Sequence, residues 1–154
     1  MFKLKKDEAG AVVKHKARLG ARGFVQQEDV DFDDAFAPAA LMEFVRLILA
    51  LAAQEGWRIH HMDVKSAFLN GNLKEVNVHK PSGFVIPSKE GKVLRLSKAL
   101  YGLRQAPRAW NAKLDATMKT MGFVQSPHEA SVYRWGKDGY ALLLGSPNAT
   151  TLSC

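Results

Sequence analysis

The chain has 154 residues, of which 47% are apolar and 24% charged, with a formal net charge of +7. That size and balance describe one ordinary globular domain, not a disordered or fibrous chain. One cysteine, Cys154, excludes an internal disulfide and a cysteine-rich zinc cluster, and the apolar run from Phe44 to Ala53, broken by Arg46, is too short to span a bilayer.

The first segment is strongly basic. Up to residue 23 it carries Lys3, Lys5, Lys6, Lys14, Lys16, Arg18 and Arg22 against Asp7 and Glu8. It lacks the apolar core of a secretory signal, so an intracellular chain without a membrane is expected. Residues 2–6 and 11–19 flank the turn-like DEAG and are predicted to pair as a β-hairpin. From 24 to 43 every charged residue is an acid: Glu28, Asp29, Asp31, Asp33, Asp34 and Glu43. Basic residues return between Lys89 and Lys119. Basic blocks on either side of an acidic one suit a polyanion such as nucleic acid, although a solvated basic surface fits the charge equally well.

DFDDAFAP is a polar loop, and Leu41–Glu55, nearly all apolar and closed by Gly56, is predicted as a buried helix with a glycine C-cap. WRIHHMDV is strand-like, NGNLKE a turn, VNVHK a short strand and PSGFVIPSKEG a loop. KVLRLS alternates as a half-buried strand does. Pro107 suits a first helical turn, and Trp110, Leu114, Met118 and Met121 then recur at helical spacing up to Gly122, as a core stripe. Ser126 to Glu129 fits a capping box, and SVYRW, GKDG and YALLLG form a second hairpin. Helices and strands alternate without a regular βαβ repeat, so the fold class is α+β.

Taken singly, few residues declare a chemistry. Asp63 at the end of a strand is most simply a turn former or a surface charge. His60 and His61 are adjacent and point to opposite faces of a strand, with no third ligand at recognisable spacing. There is no phosphate-binding P-loop and no Gly-x-Ser-x-Gly elbow.

The combination is more specific. KARLGARGF at 16–24, DFDDAFAP at 31–38, MDVKSAFLNG at 62–71, KPSGF at 80–84, ALYGLRQAPRAW at 99–110 and GFVQSPHEASVY at 122–133 follow one another in this order. Over residues 2 to about 145 the chain closely resembles the reverse transcriptase of copia-type LTR retrotransposons. The resemblance implies a partial right-hand polymerase, with fingers and an incomplete palm in residues 1–145 and a non-homologous tail at 146–154. It implies RNA-directed DNA synthesis on an RNA template with a DNA primer and deoxynucleoside triphosphates, by phosphoryl transfer with two Mg²⁺ ions.

The resemblance also implies roles for individual residues. Asp63 matches the metal-binding strand-end aspartate, with the Val64 carbonyl completing part of that shell. Lys65, Ser66 and Ala67 match the turn under the triphosphate, and Phe68 an aromatic gate that excludes a ribose 2′-hydroxyl; packing alone would make Phe68 a core ring. Tyr101 and Gly102 match the segment against template and nucleotide. Lys16, Arg18 and Arg22 fall on the fingers hairpin, facing triphosphate or template phosphates, and Arg104 and Arg108 stand where a nucleic-acid backbone or solvent would meet them.

The chain departs from the family after YALLLG. Where the family has Tyr-x-Asp-Asp this chain reads SPNATTLSC, with no aspartate after Asp138, so Asp63 is expected to lack its carboxylate partners and the chain to be inactive on its own. Losing one electrostatic contributor costs roughly 10²–10³ in rate, and here two are missing. The alternative function is a non-catalytic, basic nucleic-acid-binding remnant. The palm sheet is expected to be left with an exposed edge, and the thumb and RNase H domain to be missing. Gly20 in an expected strand, Leu41 in place of an arginine, and a KEVNVHKP segment one residue short are further departures.

Overall fold

In the computed structural model, the described residues are 2–81, 83, 84, 87, 89, 91–135, 140–144 and 150–153. They form a mixed α+β fold of two α-helices and antiparallel sheets.

The chain opens with the hairpin β1 (Phe2–Lys6) and β2 (Val12–Ala17). Asp7 closes its turn, accepting the Ala11 N–H on Oδ1 at 2.8 Å and the Gly10 N–H on its carbonyl at 3.1 Å. The register sets Lys3 opposite Lys16 and Lys5 opposite Lys14, while Phe2 faces Ala17 and Leu4 faces His15. Because strand side chains alternate, the four lysines share one face, and Phe2, Leu4, His15 and Ala17 the other. Gly20 lies beyond β2, so the expected weakening of a strand by glycine does not arise. A Cβ there would stand 3.2 Å from the Tyr101 carbonyl oxygen.

Helix α1 spans Met42–Glu55. Gly56 ends it in the left-handed conformation at φ 67°, and the Trp57 N–H donates to the Ala52 carbonyl at 2.8 Å. The helix is buried on one stripe only. Ile48 and Ala52 are covered, and Ile48 packs with Phe44, Val45 and Val132, whereas Leu47 remains 62% exposed and Leu51 41%. The apolar run thus exceeds the face that this fold covers.

Strand β3 (His60–Asp63) is followed by a one-turn 3₁₀ helix, Ala67–Asn70, and by β4 (Asn72–Val78), which pairs with β5 (Leu94–Lys98). The predicted turn over NGNLKE is therefore displaced: the chain reverses in the 3₁₀ helix, and Asn72 already pairs with Lys98, whose ammonium donates to its Oδ1 at 2.7 Å. The β4–β5 ladder shifts register between Asn72 and Val76. In β5 only Leu96 is half-buried, less than its alternation predicts.

Helix α2 (Ala106–Thr120) carries Pro107 in its first turn and buries Ala106, Trp110 and Met118. Trp110 packs with Ala67, Val64, Phe68 and Leu114, and Met118 with Tyr133, Leu114 and Phe123. Met121 lies past the helix and is exposed. Tyr133, fully buried, donates its hydroxyl proton to Asp115 Oδ1 at 2.8 Å, and Lys119 donates to Asp115 Oδ2 at 2.7 Å.

β6 (Val124–Gln125), β7 (Val132–Trp135), β8 (Tyr140–Leu144) and β9 (Thr150–Ser153) complete a five-stranded sheet in the order β3-β9-β8-β7-β6. Ser126–Glu129 begins no helix. It lies in the β6–β7 connection, where Glu129 Oε1 accepts the Ser131 hydroxyl at 2.7 Å and the Ser131 N–H at 3.1 Å. Ser126 and Glu129 have the side chains of a capping box, but Val132 pairing into the sheet removes the helix it would cap.

The expected open edge is filled on one side only: among the described residues β3 pairs with β9 and is still the outermost strand of the sheet. β9, drawn from the tail, lies between β3 and β8, with Asp63 opposite Thr150 and Leu144 opposite Thr151. Even so, the surface is large, 11,544 Å², against about 7,700 Å² for a compact monomer of this mass.

Candidate nucleotide and nucleic-acid interface

Asp63 closes β3 with an exposed side chain, and Val64 turns inward against Trp110. Lys65 and Ser66 make the turn into the 3₁₀ helix, both exposed. Ser66 sits at φ 55°, ψ 42°, a left-handed conformation rare for a residue with a Cβ. There its carbonyl accepts the Leu69 N–H at 2.9 Å and the Asn70 side-chain amide at 3.3 Å. Ala67 is buried beside Trp110, so the turn is seated on α2. Gly71 approaches α2 closely: a Cβ there would stand 2.8 Å from the Trp110 nitrogen.

Phe68 is half-buried, with one side on the Trp110 cluster and another on the cluster of Ala99, Leu103 and Ala106. Its ring meets Tyr101 edge to face, with centroids 5.0 Å apart and planes at 61°. The Arg18 guanidinium lies 5.3 Å from the Tyr101 ring centroid. Three residues from distant motifs thus form one stack, Arg18 on Tyr101 on Phe68. Such contacts contribute about 0.5–1 kcal/mol each, so they orient the groups more than they stabilise the fold.

The stack depends on close backbone approach. The Ala21 N–H donates to the Tyr101 carbonyl at 2.7 Å. A Cβ on Gly23 would fall 1.8 Å from the Gly102 carbonyl oxygen, and one on Gly102, at φ 91°, 2.2 Å from that of Ala21. Glycine is required at both positions, because the obstacle in each case is backbone.

Arg104 and Arg108 both have partners within the chain. Arg104 donates from Nε to the Gly23 carbonyl at 3.1 Å and lies 5.9 Å from the Phe32 ring centroid, while Arg108 pairs with Asp34 at 3.6 Å. Arg22 is exposed, and Lys16 is half-buried by side-chain area. Arg18, then Lys5, Lys14 and Lys3, all of like charge, together with slight desolvation, lower the Lys16 pKa from its ordinary value.

Lys3, Lys5 and Lys14, part of the basic first segment, extend the basic face through their cross-strand register. Gln26, Gln105 and Phe32 carry no individual signal in the sequence: Gln26 accepts the Arg104 N–H at 2.9 Å across 78 residues of chain.

A two-ion centre needs several oxygen donors gathered together. Among the described residues no three His, Cys, Asp or Glu side chains do so, and residues 145–149, Gly-Ser-Pro-Asn-Ala, contain no carboxylate. Among the described residues, the donors near Asp63 do not amount to the set that two divalent ions need. Asp138 lies outside the described residues. Among the described residues, no helix is long and apolar enough to cross a membrane.

The fold is mixed α+β, and comparison with known proteins names the family. Residues 1–146 match the family described as reverse transcriptase (RNA-dependent DNA polymerase), and the chain belongs to that family, in its copia-type branch. It is 41% identical over 147 residues to a retrovirus-related Pol polyprotein from transposon TNT 1-94 of Nicotiana tabacum, covering 94% of this chain and 11% of that protein. The retrovirus-related Pol polyproteins from transposons RE2 and RE1 of Arabidopsis thaliana are 39% and 37% identical, each covering 86% of this chain and 9% of the relative. The chain therefore spans about a tenth of the length of these relatives. No solved structure matches it.

Proposed function

We propose that this chain is the fingers and part of the palm of a copia-type reverse transcriptase, holding nucleotide and template while lacking the catalytic metal centre. The observation that carries this reading is the Arg18–Tyr101–Phe68 stack, which joins the hairpin, the 101–105 segment and the turn after Asp63. In this reading Arg18 faces the triphosphate, with Lys16 and Arg22 beside it. Lys65, Ser66 and Ala67 line the turn beneath it. Tyr101 and Gly102 meet the base pair, and Phe68 blocks a 2′-hydroxyl. Arg104 and Arg108 lie along the nucleic-acid backbone, and Arg108 reaches it once released from Asp34.

In the intact family Mg²⁺ activates the primer 3′-hydroxyl and neutralises the triphosphate. Here Asp63 and the Val64 carbonyl would be its remaining ligands, too few for two ions, so productive Mg²⁺ binding and extension are not expected. This part of the proposal rests on the carboxylate-free segment 145–149, next to the strand that pairs with Asp63. The test is primer extension by the purified chain on a primed RNA template with deoxynucleoside triphosphates and Mg²⁺. No extension is expected, and extension that Asp63→Asn abolishes would overturn the reading.

A second reading, a non-catalytic nucleic-acid-binding protein, is favoured by the face of Lys3, Lys5, Lys14 and Lys16. Like charges paired across strands repel one another, and a polyanion relieves that repulsion. It predicts RNA binding that weakens with salt, survives Asp63→Asn and falls when Arg18 and Arg22 are neutralised. Binding indifferent to salt counts against it.

A further inference from the structure

We propose that Gln26 is a positioning residue for Tyr101, holding that ring at the height where it meets both Arg18 and Phe68. The inference rests on reading that stack as the nucleotide platform, but its own test does not need a nucleotide.

Gln26 is half-buried at the end of a 3₁₀ turn over Gly23–Val25. Its Oε1 accepts the Arg104 N–H at 2.9 Å, and its Nε2 donates to Gln105 Oε1 at 3.1 Å. Gln105 Nε2 in turn donates to the Asp31 carbonyl at 3.4 Å. The polarity of this relay is fixed chemically. A backbone N–H can only donate, so the oxygen of Gln26 must face Arg104 and its amide must face Gln105. The oxygen of Gln105 then accepts, and its amide faces Asp31.

Tyr101 lies three residues before Arg104, across the turn at Gly102. The Ala21 N–H already ties the Tyr101 carbonyl to the hairpin side at 2.7 Å. Gln26 supplies the second tie, at Arg104, and the Arg104 Nε–Gly23 bond at 3.1 Å the third. Leu103, buried with Ala99 and Ala106, and its N–H bond to the Leu100 carbonyl at 3.2 Å seat the turn as a whole, and the Gln26 tie beyond Gly102 sets the height at which the Tyr101 ring stands on it. A side chain of the same length that cannot accept should release the far tie.

The relay separates two kinds of substitution. Gln26→Glu still accepts from Arg104. Gln105 must then turn its amide toward position 26 and its oxygen toward the Asp31 carbonyl, so only the far end is lost. Gln26→Met keeps the length but leaves the Arg104 N–H without its acceptor.

The experiment is ¹⁹F NMR of the full chain labelled with 3-fluorotyrosine, with the Tyr101 resonance assigned by Tyr101→Phe. Gln26→Glu should leave the Tyr101 resonance in place, while Gln26→Met moves it toward the position of exposed fluorotyrosine. Where the Met variant does not fold, Gln26→Asn, with a stem one methylene shorter, should show the same displacement. A Tyr101 resonance unmoved in folded Gln26→Met or Gln26→Asn, or moved equally by Gln26→Glu, overturns the proposal. Anisotropy of a fluorescent mant-dATP probe reads the platform itself. The displaced variants should bind it at least fivefold more weakly. If Tyr101→Ala and Arg18→Ala leave probe binding unchanged, the nucleotide reading fails while the positioning result stands.

Discussion

Thr150 stands directly opposite Asp63 in an antiparallel register. The strand holding Thr150 lies beyond the family match, which ends at residue 146, yet it joins β3 to β8. Asp63 is thus paired, in backbone register, with a threonine position rather than a carboxylate one.

Proline at position 151 tests that pairing. Thr151 lies opposite Met62 on one side and Leu144 on the other. Pro has no N–H to donate, so whichever neighbour it faced loses a ladder bond. Thr151→Pro should destabilise the chain by about 2–3 kcal/mol in urea melts. An unchanged midpoint would mean that β9 does not hold β3.

Alanine at Gly23 forces two backbone segments apart, because its Cβ would fall 1.8 Å from the Gly102 carbonyl oxygen. A loss of about 3 kcal/mol, or failure to fold, is expected. Gly10→Ala, with open space around it but φ 83°, should cost only about 1–2 kcal/mol. Comparable losses for the two in chemical denaturation would show that the contact with residue 102 is not made.

Ser66 occupies a conformation that glycine adopts without strain. Ser66→Gly should leave stability unchanged or raise it by up to about 1 kcal/mol, whereas Ser66→Val should lower it by about 1–2 kcal/mol or more. Thermal melts of the two variants side by side check this, and a destabilised glycine variant would count against a strained Ser66.

The Asp115–Tyr133 pair predicts losses at both ends of the pH scale. Burial works against the charge of Asp115, but hydrogen bonds from Lys119 and Tyr133 outweigh it and hold its pKa below the usual carboxylate value. Its contribution is present above the unfolded pKa, about 3.9, and is lost as pH falls through the lower folded value. Burial, and then the bond to Asp115, raise the Tyr133 pKa. Its contribution is full below the unfolded value, about 10, and is lost as pH rises toward the folded one. Tyr133→Phe should remove the alkaline fall in melting temperature; an alkaline limb identical to wild type would contradict the assignment.

On the basic face, Lys14→Gln should weaken RNA binding to a similar degree across sequences and reduce the slope of log affinity against log salt by about 1. Fluorescence anisotropy at several salt concentrations measures this. A slope equal to that of the unsubstituted chain would place Lys14 off the nucleic acid.

Much of the fold was legible because its signals are local. The DEAG hairpin, the Gly56 cap, the first turn at Pro107 and the Trp110–Met118 stripe each follow from a few neighbouring residues. The errors fall where tertiary context decides. Ser126 to Glu129 has capping-box chemistry but no helix to cap, since Val132 pairs into the sheet. NGNLKE has turn composition, but pairing with β5 extends Asn72 and its neighbours as strand.

By itself, the sequence determined the family of this chain and its α+β class, and it singled out Asp63, Phe68, Tyr101 and Arg18 as candidates, because long contiguous motifs carry them. Only the tertiary structure decided that Arg18, Tyr101 and Phe68 stack, that Gln26 holds Arg104, and that Thr150 faces Asp63. These contacts join residues 33 to 87 positions apart, and their energies depend on distances that no local pattern of residue types encodes.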